Sequence, residues 1–397
     1  MVAMISIPPF QTGEIILFTP FIAALGGVER LLLGLSRTLH SLGRSHRIVC
    51  FEDTINLPSY ATWPIAVQQL KPRRSAWAEA RALKKFLTAA DHAGAATPLL
   101  FDIRSAFYAG LARFPSFVLH LTDPPSLLPT DASKRSLSAR RSYAPFASLP
   151  RASWRGLIHS ELVHQLNRRG ARRAQTVLAM THRIANELKQ LYGVKAEIVR
   201  PGVLPLPTAP RTASTVNLSF LSVSRLEESK RIDWILEALG ELEASAPSLS
   251  ERANWQLHVV GEGSQRQNLQ NLAASKGLRK RVVFHGLVTD SQLEELYAGS
   301  DLFLMPAVQG YGLPALEALA RNVPVILHRD SGVAEILQDT QWAEIIEIDA
   351  RDLSRAISSM VARLQNGDLD AVTRPAVPTE TQWSYHLADH CGWNLPQ

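Results

Sequence analysis

The residues best suited to chemistry lie in the second half of the chain, where a glycine turn, two separated cations and a carboxylate are spaced to hold an anion beside a polyol. Gly310 and Gly312 flank Tyr311, Leu313 and Pro314 follow, and Glu317 comes about one helical turn later. Glycines let the chain turn tightly and a ligand approach the backbone, while a proline at a helix start gives up an N–H that has no intrahelical partner. The remaining N–H groups at such a start favour an anion, and phosphate suits them. Glu317 is badly placed to face phosphate itself but well placed to accept hydrogen bonds from neutral hydroxyls. Further upstream, Arg225 and Lys230 are five residues apart at the end of an apolar run. They are either surface charges or the fork and the point charge that a diphosphate needs. Together these residues suit a phosphorylated sugar or a nucleotide.

The elements that must position them alternate between strand and helix. LFLMPAVQGYGLPALEAL reads as strand, glycine turn and helix, and NLSFLSVSRLEESKRIDWILEALGEL as strand, cationic turn and helix. WQLHVVGEGSQRQNLQNLAASKGL, RVVFHGLV and VPVILHRDSGVAEIL continue the alternation. Near the start, EIILFTPF, a turn with Gly26 and Gly27, a helix burying Val28, Leu31, Leu32, Leu35 and Leu39, and HRIVCFE make a βαβ unit. A glycine pair alone fits a ligand-binding loop or any tight strand-to-helix turn. AWAEARALKKFLTAADH reads as a helix, PLLFDI as a short strand, and the apolar run ending in His120 as a buried strand of an α/β sheet. His120 is either a hydrogen-bonded structural residue or a residue at the ligand-binding ends of the strands. The fold class is therefore α/β, with a doubly wound domain on each side of a Pro-, Thr- and Ala-rich boundary at 204–215.

Composition narrows the partners. The chain of 397 residues is 46% hydrophobic and 20% charged, which fits a soluble globular protein with ample core. The apolar run Ile15–Leu25 is broken by Thr19 and Pro20 and too short to span a bilayer, and no basic n-region precedes it. A cytoplasmic protein is expected. The two cysteines, Cys50 and Cys391, form no metal-ligand spacing and no disulfide framework. Residues 1–205 hold 26 Lys and Arg against 12 Asp and Glu, and the rest of the chain 16 against 24. Much of the excess comes from Lys134, Arg135, Arg140, Arg141, Arg151, Arg155, Arg168, Arg169, Arg172 and Arg173. Such a field attracts nucleic acid, an anionic membrane or a phosphorylated acceptor, or it is a solvated helical face. With no nucleic-acid recognition motif in the chain, nucleic acid is the least favoured partner.

Taken jointly, these motifs resemble the donor site of retaining nucleotide-sugar glycosyltransferases of family 4, in which two glutamates eight positions apart flank a Gly-aromatic-Gly turn. Here Glu317 is the second of the pair, and Gln309 stands where the first would be. Arg225 and Lys230 are similar to the family's Gly-Arg strand end and downstream Lys-Gly, with Ser224 and Arg231 replacing the glycines. The resemblance is close from about 218 to 337 and looser in 14–43 and 117–203. It implies a GT-B fold of two Rossmann-like domains facing a central cleft: an acceptor-side domain at 1–203, a linker at 204–215, a nucleotide-sugar domain at 216–380, and a final helix at 381–397 returning to the first domain. It further implies donor contacts from Gly26, Gly27, Arg225, Lys230, Gly310, Tyr311, Gly312, Leu313 and Glu317. Catalytic positions fall on His120, Gln309 and Glu317, with His120 beside the reacting sugar, Gln309 on the transferred sugar and Glu317 on the ribose. The implied reaction moves a hexose-type sugar from a UDP- or GDP-linked donor, without a metal or cofactor, to a glycan or lipid-linked acceptor. The chain would work in the cytoplasm or at the inner face of the cell membrane, in polysaccharide or glycolipid synthesis. A glutamine orients hydroxyls but cannot stabilise positive charge as a carboxylate does, so a weak or inactive nucleotide-sugar-binding paralogue is the alternative.

Overall fold

Short apolar runs become buried parallel strands, and the periodic stretches between them become the helices that cover both faces of each sheet. The computed structural model describes residues 9–70, 75–125, 154–204, 217–245, 249–347, 350–370 and 372–396. The chain divides into two units, one of Met1–Gly202 with Pro378–Gln397 and one of Val203–Val377. The boundary stretch at 204–215 lies, beyond Leu204, outside the described residues, as do Lys134, Arg135, Arg140, Arg141 and Arg151.

The first unit is built on seven parallel strands: β1 (Ile15–Phe18), β2 (His46–Cys50), β3 (Val67–Gln69), β4 (Leu99–Phe101), β5 (Val118–Leu121), β6 (Thr176–Ala179) and β7 (Glu197–Ile198). Their order in the sheet is β3-β2-β1-β4-β5-β6-β7, so the winding reverses between β1 and β4. The described helices are α1 (Gly27–Ser41), α2 (Ala76–His92), α3 (Asp102–Leu111), α4 (Trp154–Ala171) and α5 (His182–Tyr192). In α1, Leu31, Leu32, Leu35 and Leu39 are buried, whereas Val28 is only half-buried. The run PLLFDI is strand only as far as Phe101, because Asp102 turns into the left-handed region at φ +68° and opens α3. α3 and α4 touch backbone to backbone: a Cβ on Gly110 would fall 2.1 Å from the Leu166 carbonyl oxygen, and one on Gly170 1.7 Å from that of Ala106.

The second unit has six parallel strands: β8 (Asn217–Val223), β9 (Asn254–Val260), β10 (Val282–Gly286), β11 (Leu302–Met305), β12 (Val325–His328) and β13 (Ala343–Ile346), in the order β10-β9-β8-β11-β12-β13. This is a doubly wound sheet with its reversal between β8 and β11, where Phe220 pairs with Leu302 and Leu221 with Phe303. Its longer helices are α6 (Ile232–Ala244), α7 (Arg266–Ser275), α8 (Asp290–Ala298), α9 (Leu313–Ala320) and α10 (Ala350–Asn366).

The chain's last helix, α11 (Glu380–Cys391), belongs to the first unit. Arg37 of α1 grips the Glu380 carboxylate at 2.8 Å, Trp383 is buried, and the Trp393 indole donates to the Thr97 carbonyl at 2.8 Å. Cys50 and Cys391 are free thiols, both buried. No described helix is long and apolar enough to cross a membrane.

Candidate active site

In an open α/β sheet the crevice for a ligand lies beyond the carboxyl ends of the strands where the winding reverses. In the second unit that place is bounded by the loop after β8 and the loop after β11. The β8 loop carries Ser224, Arg225 and Leu226, then a short 3-10 turn, Glu228–Lys230. Leu226 is fully buried and anchors the loop, while Arg225 is exposed and its guanidinium has no partner among the described residues. The neighbouring turn clasps this loop from the side. The Leu226 N–H donates to the Glu262 carbonyl at 2.8 Å, and the Gln265 N–H donates to the Leu226 carbonyl at 2.9 Å. Gly261 has to be a glycine: its φ is +128°, and a Cβ there would sit 1.9 Å from the Ser224 carbonyl oxygen. The fingers of the two loops are thus fixed by backbone contacts that side-chain patterns do not announce.

The β11 loop is fixed on its other side. The Gln309 N–H donates to Ser331 Oγ at 3.2 Å, and the Ser331 hydroxyl donates to the Ala307 carbonyl at 3.1 Å. Gly332 and Val333 donate their N–H groups to the carbonyls of Gln309 and Tyr311. Gly312, at φ +114°, makes the turn into α9, which starts at Leu313 with Pro314 behind it. The two loops meet where Lys230 Nζ donates to Gln309 Oε1 at 2.6 Å. Glu317 is half-buried one turn into α9, and the Tyr297 hydroxyl donates to its carboxylate at 2.8 Å. Tyr297 is buried, with the Arg321 guanidinium stacked 4.7 Å over its ring. Lys230, Gln309, Gly310, Tyr311, Gly312, Leu313 and Glu317 therefore occupy one end of one unit. On the other side of β8 from β11, His258 and His285 on β9 and β10 share a hydrogen bond at 2.9 Å, and burial lowers the pKa of both.

Ser331 and Tyr297 were not among the residues expected from sequence, yet they hold Gln309 and Glu317 in place. Ser331 lies in the stretch VPVILHRDSGVAEIL, between its strand and its helix, where a short hydroxyl side chain is a turn signal.

Gly26, Gly27 and His120 belong to the first unit. Gly26 caps α1 eight residues past the end of β1, and its N–H donates to Glu29 Oε2 at 3.0 Å. Gly27 would meet nothing with an added Cβ, and Gly26 would meet that flexible carboxylate closely and the Ala24 carbonyl at an ordinary 3.9 Å. Neither glycine is demanded by packing or by a positive φ, which leaves open backbone at the mouth of a 15-residue helix. His120, expected beside the reacting sugar, is the third residue of β5. It is 0% exposed and has Phe101 and Trp383 rings at 5.5 and 5.8 Å. Both ring nitrogens are unpartnered, and burial, only partly offset by the neighbouring Val199 backbone, pulls its pKa down to about 4. Among the described residues no group of three or more His, Cys, Asp and Glu could hold a metal ion.

Residues 213–364 match the family model for glycosyl transferases group 1. The second unit thus carries a group 1 domain. Over 120 residues the chain is 34% identical to an uncharacterized glycosyltransferase of Methanocaldococcus jannaschii, covering 30% of this chain and 29% of that protein. Over 179 residues it is 30% identical to the GDP-mannose-dependent alpha-(1-6)-phosphatidylinositol monomannoside mannosyltransferase of Mycolicibacterium smegmatis, covering 43% of each. The chain spans less than half the length of these relatives. Among solved structures, Anabaena HepE in complex with UDP superposes with a TM-score of 0.67 at 16% identity, covering 96% of this chain and 99% of that one. The fold is GT-B, and the group 1 domain includes the β8 loop, the β11 loop and α9.

Proposed function

We propose that the protein is a glycosyltransferase that takes a hexose-type sugar from a UDP- or GDP-linked donor and passes it, with retention, to a glycan or lipid-linked acceptor. The observation that carries this reading is the contact of Lys230 with Gln309, which joins the β8 and β11 loops at the reversal of a doubly wound sheet. The exposed Arg225 guanidinium on one loop and the start of α9 on the other add the donors that a diphosphate needs. As the anomeric bond opens, the transition state takes on oxocarbenium character and the leaving diphosphate gains negative charge. Lys230, held by Gln309, and the α9 N-terminus are fixed in advance of that charge, so they stabilise it without reorganisation, and the exposed Arg225 adds its guanidinium. Glu317, held by Tyr297, accepts from ribose hydroxyls, and Gln309 orients the sugar. The relative named above for GDP-mannose and the neighbour bound to UDP support the donor class and leave both bases open.

A thermal-shift series with UDP, GDP and ADP tests the reading. A ligand that binds only the folded state at 100 times its Kd adds about 2.7 kcal/mol. One nucleotide series should raise the midpoint, and the rise should disappear in Arg225→Ala and Lys230→Ala. No shift with any nucleotide would overturn it, and a shift without sugar release or transfer from any matching sugar nucleotide would mark a binding paralogue instead.

A further inference from the structure

The orientation of the Gln309 amide is dictated by its neighbour. An ammonium has protons and no lone pair, so only the carbonyl end of the amide can face Lys230 at 2.6 Å. The Nε2 end must point away, and it has no protein partner among the described residues. The backbone cannot readily swing to reverse this, because Gln309 is tied on its N–H to Ser331 at 3.2 Å and on its carbonyl to Gly332 at 3.3 Å. Ser331 itself is buried and bonded to Ala307. A glutamate here would offer acceptors and a negative charge. Gln309 offers two N–H donors and gives Lys230 no counter-charge.

We propose that Gln309 makes the sugar subsite selective for a sugar that presents an acceptor-only oxygen, namely the carboxylate of a hexuronic acid, over a neutral hexose. The inference rests on reading this site as one for a nucleotide sugar. A group bonded to the ammonium that grips the diphosphate lies beside the last phosphate, where the sugar is attached. A sugar hydroxyl donates as well as accepts, so it is served by either an amide or a carboxylate. A sugar carboxylate has no proton to give. A glutamate would repel it, whereas the outward amide can bond it with the Lys230 charge directly behind.

The test is calorimetric binding of UDP, UDP-glucose and UDP-glucuronic acid, and of GDP, GDP-mannose and GDP-mannuronic acid, to the wild type and to Gln309→Glu. Each sugar nucleotide is compared with its own free nucleotide, which removes any effect of the substitution on the phosphate site. In whichever base series binds, the wild type should prefer the uronosyl form by about tenfold or more, the range of one hydrogen bond to a charged group. Gln309→Glu should abolish or invert that preference. If the free nucleotide binds but the uronosyl and hexosyl forms bind alike, or if the preference survives in Gln309→Glu, the selectivity proposal is wrong while the nucleotide-sugar reading stands. If neither free nucleotide binds, both fall together.

Discussion

An imidazole enclosed without a hydrogen-bond partner makes the first unit sensitive to acid. His120 has its pKa lowered to about 4 by burial, whereas in the unfolded chain it titrates near 6.5. Between these values the unfolded state binds the extra proton and the folded state does not, so stability falls as pH falls through that window and is fully present above it. The full span corresponds to roughly 3 kcal/mol for this one residue. His46 and His164, also lowered chiefly by burial, act in the same direction, so the informative quantity is a difference between proteins. Urea unfolding followed by tryptophan fluorescence should show His120→Phe losing less stability than the wild type between pH 7 and about pH 4.5. Parallel pH profiles for the two proteins would mean that the ring is not enclosed as described. The residue type and its nearness to a strand end were legible in the sequence. What encloses it was not, because Trp383 reaches it from the far end of the chain.

At the scale of elements, the entrance to α6 shows what a substituted glycine does. Arg231, the residue after Lys230, adopts φ +54° at the N-cap of α6, a conformation costing a side-chain-bearing residue about 1–2 kcal/mol. Its side chain offsets part of that by stacking 4.3 Å over Trp234 and pairing with Asp233 at 2.8 Å. Both contacts are partly exposed and contribute less than about 1 kcal/mol each. Arg231→Gly relieves the backbone and loses the contacts; Arg231→Ala loses the contacts and keeps the strain. The glycine variant should therefore be more stable than the alanine variant by about 1 kcal/mol, read from urea midpoints at equal slope. An alanine variant as stable as the glycine variant would deny the left-handed turn. The spacing from Arg225 to Lys230 and the strand-turn-helix order around Gly312 could be read from residue types, since periodicity and turn chemistry are local. Three things could not: the clasp of Gly261 on Ser224, the Ser331 tie to Gln309, and the backbone crossing of α3 with α4. Each is a contact between segments distant in sequence.

For the molecule as a whole, the unequal distribution of charge carries the consequence for partners. The basic excess of residues 1–205 is opposed by an acidic excess in the rest. Not all of the arginines behind it are idle surface charges. Arg172 donates to the Tyr192 carbonyl at the end of α5, and Arg173 to the carbonyls of Ala109 and Gly110 near the end of α3, where a cation also complements the helix dipole. Those bonds fix the side chains but leave the charge in place, so the first unit still sets up a positive field. A lipid-linked acceptor in an anionic membrane would meet that field, and ionic strength would tune the encounter because the Debye length shrinks from about 10 Å at 0.1 M salt to about 3 Å at 1 M. The full chain should co-sediment with vesicles containing phosphatidylserine at low salt, remain in the supernatant with purely zwitterionic vesicles, and detach as salt rises. Failure to sediment with anionic vesicles at low salt would leave the arginines as a solvated face and point to a soluble glycan acceptor. Sedimentation indifferent to salt would instead require an apolar anchor, and none of the described helices is long and apolar enough to cross a membrane.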